Sequence, residues 1–267
     1  VPLVFNYQNV TTSPDSTTIN VEDYIASSNK KIFYSTDKTI YLTDSVGSFL
    51  SPIYSVNSNY IGNLTSNNTG DTLYFLQSAN QNTAQPSIMM TSINNLNPVV
   101  VGSVPAYMNE IFQFKYDNGD FYYIKNHHLM KISNGNVTTI DTYNNNSFTA
   151  KNSSVYRAWY QGNSTYISGT SYQAGNTIYD LDYSPSESRI YISRNNNGGE
   201  IGYWDVSSAN YVSLFLPNNS FPSSGSWGEQ VVKYNDGLVY FNQAQALFSM
   251  QNDGSTSLLI SSSNDEE

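Results

Sequence analysis

The stretch GDFYYIKNHHLMKISNGNVTTI (residues 119–140) returns about 120 residues later as GLVYFNQAQALFSMQNDGSTSLLI (residues 237–260). In both copies a Gly precedes an apolar–Tyr–apolar run, and a short polar break separates this run from a second one. An Asn/Asp-Gly turn and a third apolar run follow. Short runs rich in aromatic and β-branched residues, bounded by Gly and Asn, are typical of antiparallel strands joined in hairpins.

The Tyr-centred run occurs six times along the chain. Its first strong tyrosine is, in order, Tyr34, Tyr74, Tyr122, Tyr156, Tyr191 and Tyr240. The intervals average about 41 residues, and a repeat of about 40 residues holding four short strands is typical of the blades of a β-propeller. We therefore expect an all-β propeller, most simply with six four-stranded blades. Five or seven blades remain alternatives, because the fourth repeat leaves little sequence for its last strand before Asn176.

Each repeat can be divided into strands A to D. The third repeat gives 110–116, 120–125, 128–133 and 137–141, the fifth gives 177–183, 189–194, 200–206 and 211–216, and the sixth gives 229–234, 238–242, 246–251 and 256–261. The repeated tyrosines fall on strand B, where we expect their rings to pack between blades rather than to stack on a ligand. VEDYIASSN (21–29) is the one weak helix candidate, and it also reads as a strand.

The repeats predict a single domain over residues 1–261. Residues 1–20 precede the first strong repeat and form an N-terminal extension. Within it, VPLVFNY (1–7) alternates apolar residues and could add a strand to the last blade, which would latch the ring. The polar end, residues 262–267, is expected to be a tail.

The composition excludes several classes of function. A net charge of −10, with Lys and Arg scattered along the chain, argues against nucleic-acid binding. The absence of cysteine excludes disulfides and thiol chemistry, and no apolar run is long enough to span a membrane. A polar surface built from Asn, Ser and Thr, with only 12% charged residues, favours an extracellular, cell-surface or virion-surface setting.

The segments DNGDFYYIKNHHLMKISNGNVTTI (117–140) and YNDGLVYFNQAQALFSMQNDGSTSLLI (234–260) resemble repeats of six-bladed propellers of the YWTD and TolB-like kind. In those families a Gly-led apolar–Tyr strand precedes a Leu-containing strand and an Asp-Gly turn. The YWTD tetrapeptide itself is missing, and Tyr203-Trp204-Asp205 comes nearest. The resemblance implies an interaction platform for proteins or saccharides. The composition also resembles that of exterior proteins of acidophilic archaea and their viruses.

In a propeller the D–A and B–C connections gather on one face, around the central channel. The longest of these, PNNSFPSSGSWGEQ (217–230), carries Trp227 outside any regular strand. Trp227 is therefore either a plug in the channel mouth or an exposed recognition residue. If the strand assignment holds, Tyr107, Glu110, His127 and Arg194 are its neighbours and complete a candidate ligand site.

Other candidate sites are weaker. The pair His127-His128 lacks further ligands for a metal site, since neighbouring strand residues point to opposite faces. Asp180 and Asp182 share one face of a predicted innermost strand and are weak calcium candidates. No cofactor motif is present. Eight Asn-x-Ser/Thr sequons permit glycosylation, at Asn9, Asn63, Asn67, Asn136, Asn145, Asn152, Asn163 and Asn218.

The expected function is a non-enzymatic binding or adhesion module that recognises a protein or a saccharide at a cell or virion surface. One alternative is a structural subunit or decoration of an archaeal filament, a surface layer or a virion, in which the chain forms a homo-oligomer or filament. A second alternative is a secreted glycoside hydrolase, because the acidic residues could supply the two carboxylates that such chemistry needs.

Overall fold

The structure is a computed structural model that describes residues 20–23, 31–35, 38–44, 50–93, 95–161, 164–175, 177–194, 199–215, 232–235, 237–243, 246–251 and 254–261. The proposed latch (1–7), Trp227 and the polar tail (262–267) lie outside these residues.

The described strands form six antiparallel sheets of four strands each. Sheet 1 contains β1 (Asn20–Asp23), β2 (Lys31–Ser35), β3 (Thr39–Asp44) and β4 (Leu50–Ser55). Sheet 2 contains β5 (Tyr60–Ser66), β6 (Thr72–Ser78), β7 (Ser87–Ser92) and β8 (Asn95–Ser103). Sheet 3 contains β9 (Ile111–Asp117), β10 (Asp120–Lys125), β11 (His128–Ser133) and β12 (Asn136–Asp141). Sheet 4 contains β13 (Asn145–Lys151), β14 (Ser154–Gln161), β15 (Ser164–Ile167) and β16 (Gln173–Ala174). Sheet 5 contains β17 (Ile178–Ser184), β18 (Arg189–Arg194), β19 (Glu200–Asp205) and β20 (Asn210–Phe215). Sheet 6 contains β21 (Val232–Asn235), β22 (Leu238–Gln243), β23 (Ala246–Gln251) and β24 (Thr256–Ser261).

The strands of each sheet follow one another in chain order, so every sheet is an up-and-down meander. The first strand of each sheet contacts the first strand of the next, and β1 also contacts β21. The six first strands therefore surround a common axis, and the prediction of an all-β propeller is confirmed. The contacts of β1 with β21 and β22 show that sheets 1 and 6 pack against each other, and in the described part of the chain no sheet mixes strands from the two ends.

The predicted strands of the third, fifth and sixth repeats match the structure to within about three residues. In the fourth repeat the last strand is only the two-residue β16, which explains why the sequence offered so little for it. The start of VEDYIASSN, residues 21–23, lies in β1, and residues 24–29 of this segment lie outside the described residues. Beside the strands lies one turn of 3-10 helix, Met108–Glu110, and no helix of the described residues is long and apolar enough to cross a membrane.

The core consists of apolar side chains between neighbouring sheets. Of the six repeated tyrosines on the second strands, Tyr74, Tyr122, Tyr191 and Tyr240 are buried, as expected for residues that pack between blades. Tyr156 is half-buried, and the side chain of Tyr34 lies outside the described part of the structure. Tyr191 of sheet 5 stacks on Tyr234 of sheet 6, with ring centroids 4.6 Å apart. Because one sheet cannot cover both of its own faces, each sheet depends on its neighbours for burial.

Candidate functional site

A cavity of about 420 Å³ opens at the end of the propeller where the D–A and B–C connections lie. The first strands of sheets 2, 3, 4, 5 and 6 supply its wall. We call this opening the channel mouth. It is lined by Asn63, Met108, Asn109, Ile111, Phe112, Gln113, Phe114, Lys115, His127, Asn145, Asn146, Thr177, Ile178, Tyr179, Asp180 and Lys233.

An aromatic pair marks the rim of the channel mouth. The ring of Phe112 is 46% exposed and stacks on the imidazole of His127, with centroids 5.8 Å apart and planes 18° from parallel. Asn126 and His127 form the tight turn between β10 and β11, with positive φ angles of 49° and 65°. Asn tolerates this backbone conformation better than most residues, and the turn presents the imidazole to Phe112.

Asn145 holds two connections of the mouth together. Its backbone N–H donates to the carbonyls of His127 (3.0 Å) and Tyr143 (2.8 Å). Its side-chain amide nitrogen lies 2.9 Å from the His127 carbonyl and 2.7 Å from Oδ1 of Asp141. The B–C turn of sheet 3 and the connection into sheet 4 are thereby fixed to one another.

Buried polar groups form the floor of the cavity, and Asp180 is at their centre. Its Oδ1 accepts from Nε2 of Gln113 (2.7 Å) and from Oγ of Ser147 (3.3 Å). Its Oδ2 accepts from the backbone N–H of Val232 (3.0 Å) and from Nζ of Lys233 (3.2 Å). One carboxylate thus connects the first strands of sheets 3, 4, 5 and 6.

Lys115 is the second cation of the floor. Its Nζ donates to the Leu181 carbonyl over 3.4 Å and lies 4.0 Å from Oδ1 of Asp180. Burial, reinforced by the positive charge of Lys233, lowers the pKa of Lys115 to about 8. The attraction of Asp180 and Asp182 opposes this shift without cancelling it.

Asp182 lies two residues further along β17 and is also buried. Its Oδ2 accepts from the backbone N–H of Tyr234 (2.8 Å), and its Oδ1 lies 3.4 Å from Oγ1 of Thr149. Burial works to raise the pKa of Asp182, but the charges of Lys151, Lys233 and Lys115 outweigh it and the pKa is lowered. Asp182 is therefore a carboxylate in the folded protein at neutral pH.

A second aromatic group lies on the same face, beside the mouth. The guanidinium of Arg157 lies over the rings of Tyr143 (5.2 Å) and Trp159 (5.1 Å) and pairs with Asp141. Trp159 also stacks on Tyr166, with centroids 5.5 Å apart. Tyr143 is 56% exposed, so this cluster extends the aromatic surface outward from Phe112.

The structure brings together only part of the ligand site predicted from sequence. His127 lines the cavity. Tyr107 and Glu110 lie in the connection beside it, where Glu110 accepts from the Tyr107 backbone N–H (2.8 Å) and pairs with Lys125 (3.3 Å). Arg194 does not line the cavity. Its guanidinium pairs with Glu200, the residue opposite it on β19, over 2.7 Å, and donates to the Tyr172 hydroxyl.

The weak calcium prediction for Asp180 and Asp182 finds no support in the geometry, because lysine ammonium groups, backbone N–H groups and hydroxyls occupy their oxygens. Among the described residues no cluster of three or more His, Asp or Glu side chains could hold a metal ion. Of the sequons, Asn9, Asn163 and Asn218 lie outside the described residues. Asn136 and Asn152 are exposed, Asn63 and Asn67 are half-buried, and Asn145 is 1% exposed.

Phe112, Gln113, Lys115 and Lys233 were not predicted from the sequence. Gln113, Lys115 and Lys233 do carry a signal, because each is a polar residue within a predicted first strand, where an isolated polar side chain must face other buried polar groups. Asp180 and Asp182 were singled out on another ground, as acids on one face of a first strand. Phe112 carries no such signal, since an exposed Phe on a strand looks like a core residue in the sequence.

Three solved structures show how this chain compares with known proteins. The match titled as the crystal structure of the nidogen/laminin complex has a TM-score of 0.61 at 9% identity, over 85% of this chain and 91% of that one. Hydrazine synthase of Kuenenia stuttgartiensis has a TM-score of 0.59 at 9% identity, over 93% and 81%. The mitotic checkpoint complex has a TM-score of 0.54 at 8% identity, over 97% and 87%. At such low identity the likeness shows the propeller fold alone. No protein-family model and no curated protein matches the chain.

Proposed function

We propose that this protein is a non-enzymatic binding module whose recognition surface is the channel mouth. The observation that carries the proposal is the 420 Å³ cavity, which has a partly exposed aromatic pair at its rim and amide side chains in its wall. Concave sites with apolar rings and a few fixed polar groups are the usual form of a binding pocket.

The proposed partner is a protein or a saccharide. Amide groups of Asn109 and Asn146 and the ring of Phe112 can meet the hydroxyls and the C–H face of a sugar, or the side chains of a protein loop. One structurally similar propeller comes from a nidogen/laminin complex, so this fold can serve protein recognition. The inference for this chain rests on its own cavity, because fold does not determine function.

The absence of enzymatic activity is also part of the proposal. Asp180 is the one carboxylate among the cavity-lining residues that the structure describes, and four donors hold it. Hydrolysis of a glycosidic bond ordinarily needs two carboxylates placed on either side of the bond. A secreted hydrolase would have to draw its second acid from elsewhere.

We count each four-stranded sheet as one blade, which gives a ring of six.

We infer the location of the protein from its composition. We place this ring outside a cell or on a virion, and its composition is compatible with an archaeal source and with glycosylation at exposed sequons. A surface of uncharged hydrogen-bonding groups loses little when carboxylates are protonated, which suits an acidic exterior.

A structural role is the second candidate, and one observation favours it. Val99, Val100 and Val101 on the outermost strand of sheet 2 are 50%, 64% and 43% exposed. Exposed apolar outer strands are places where copies of a chain can associate. Native mass spectrometry separates the candidates, since a repeated subunit gives a uniform multiple of 29.8 kDa whereas an isolated module gives the monomer mass.

The binding proposal is tested by placing a photo-crosslinking phenylalanine derivative at position 112, on the rim. The matched control carries the same group at Val100, which is 64% exposed on the outermost strand of sheet 2 and does not line the cavity. After illumination at the native surface, we expect a discrete covalent adduct from position 112 and not from position 100. Equal labelling at both positions, or none at position 112, contradicts the proposal.

A further inference from the structure

The floor of the channel mouth carries more positive than negative charge, although the whole chain has a net charge of −10. Among the described lining residues the cations are Lys115 and Lys233, and the anion is Asp180. The side chains of the two lysines keep 12% and 11% of their surface exposed, whereas Asp180 keeps 4%. A ligand in the cavity therefore meets more of the two lysine side chains than of the Asp180 side chain.

Asp180 has little capacity left for another partner. Two donors reach each of its oxygens, from Gln113 and Ser147 on one side and from Val232 and Lys233 on the other. A carboxylate offers about four lone-pair sites, so these four donors fill it.

Lys115 is in the opposite situation. An ammonium group has three N–H donors. Within the described residues, the Nζ of Lys115 makes one long hydrogen bond to the Leu181 carbonyl and a 4.0 Å ion pair with Asp180, which other donors already satisfy. Lys233 adds positive charge near Lys115. Asp182 is held by Thr149 and the Tyr234 backbone, and Lys151 also acts on it. Lys115 thus retains donor capacity beside an open cavity.

We propose that the channel mouth binds a carboxylate-bearing saccharide of about one ring, such as a hexuronate, with its carboxylate on Lys115. The proposal rests on the function proposed above, which places recognition at this mouth, and it adds the chemical class of the ligand. A cavity of about 420 Å³ lies within the usual range for small-ligand sites. The sugar ring would lie against Phe112, and Asn109 and Asn146 would meet its hydroxyls.

A carboxylate near Lys115 would add a second counter-charge in addition to Asp180, which Lys115 shares with the closer Lys233. The lowered pKa of Lys115 supports this view, because burial and a second cation weaken its charged form. An anion bound nearby favours the charged form and must raise that pKa. Binding of the ligand carboxylate and protonation of Lys115 are therefore linked.

The test uses D-glucuronate as the probe and D-glucose as its uncharged counterpart. The ¹³Cε resonances of the lysines, followed by NMR against pH, give the pKa of Lys115 in the wild-type protein. We expect glucuronate to raise this pKa and glucose to leave it unchanged. Lys115→Met keeps the length of the side chain, and we expect it to weaken glucuronate binding at least about tenfold, or about 1.4 kcal/mol. Lys125→Met is the matched control, since Lys125 pairs with Glu110 outside the cavity.

The outcomes separate this inference from the function on which it rests. If glucuronate leaves the Lys115 resonance and its pKa unchanged up to the solubility limit, the carboxylate assignment is wrong. If glucose binds as well as glucuronate and Lys115→Met has no effect, the mouth is a binding site but not for an acid. If acetate alone reproduces the full effect, the floor binds small anions and the saccharide assignment is overturned. The crosslinking experiment at position 112 tests the binding surface independently of all three.

Discussion

The Nζ atom of Lys233 lies 3.2 Å from Oδ2 of Asp180, although the two residues are 53 positions apart along the chain. They belong to the first strands of sheets 5 and 6. The backbone N–H of Val232 reaches the same oxygen over 3.0 Å. The central polar group therefore joins neighbouring blades and forms the floor of the proposed binding site.

Replacement of Asp180 should destabilise the propeller strongly. Asp180→Asn removes the countercharge of Lys233 and Lys115, and an uncompensated buried charge costs about 3–5 kcal/mol. Urea unfolding at pH 7 measures the loss. Asp120→Asn is the control, because Asp120 pairs with Lys131 at the surface, where an ion pair contributes about 0–1 kcal/mol. Equal effects of the two substitutions would show that the Asp180 group is not a stabilising centre.

The lowered pKa of Lys115 predicts a pH dependence of stability. Between about 8, the pKa in the folded protein, and its ordinary value of 10.5, the unfolded chain binds more protons at this site than the folded chain. Stability contributed by this site must therefore rise with pH across that window. Tyrosines with raised pKa values act in the opposite direction above pH 10. The measurement is consequently the difference in unfolding free energy between wild type and Lys115→Met, which should increase from pH 7.5 to pH 10. A flat difference would contradict the lowered pKa.

Gly202 allows two strands of sheet 5 to approach closely. A Cβ atom at this position would lie 2.5 Å from the carbonyl oxygen of Val212 and would also collide with the Tyr211 hydroxyl. The carbonyl belongs to the backbone and cannot move aside easily, so we expect Gly202→Ala to cost about 1–3 kcal/mol. Gly175→Ala is the control, since a Cβ there meets no atom within 4 Å. Thermal unfolding of both variants provides the comparison.

The sequon at Asn145 should carry no glycan in folded protein. Its side chain is 1% exposed, and its amide nitrogen is held by the His127 carbonyl and by Asp141. A glycan there would break the joint between two connections of the channel mouth. Peptide mass spectrometry of folded protein from a glycosylating host should find Asn145 unmodified, while exposed Asn136 remains available. A glycan on Asn145 in the folded fraction would be inconsistent with its burial.

Local patterns were sufficient to predict the strands. In DFYYIK and HLMKIS, runs of apolar and aromatic residues supply the buried side chains. The Asn118-Gly119 and Asn134-Gly135 turns set the register of these strands with β9 and β12. These are interactions over a few residues, so a single sequence contains them. The repeat length then predicted a propeller, because short meanders of this kind bury their faces only by packing against one another.

The site was only partly predictable, and the pairing of charges is the reason. Arg194 reads as a free cation at a strand end, yet the register of β18 and β19 places Glu200 directly opposite it. Asp180 and Asp182 read as paired acids on an innermost strand, and that position is correct. Their partners Lys115 and Lys233 are distant in sequence, so nothing local indicates that these charges meet.

By itself, then, the sequence determined the strands, their tyrosine packing and the propeller, since hydrophobic alternation and turn chemistry act between near neighbours. The tertiary structure decided which first strands face each other across the axis. That arrangement placed Lys115, Lys233 and the fully hydrogen-bonded carboxylate of Asp180 beneath Phe112 and His127. Charge interactions depend on distance and burial rather than on order along the chain. The pairing of charges in the channel mouth is therefore set by the tertiary structure.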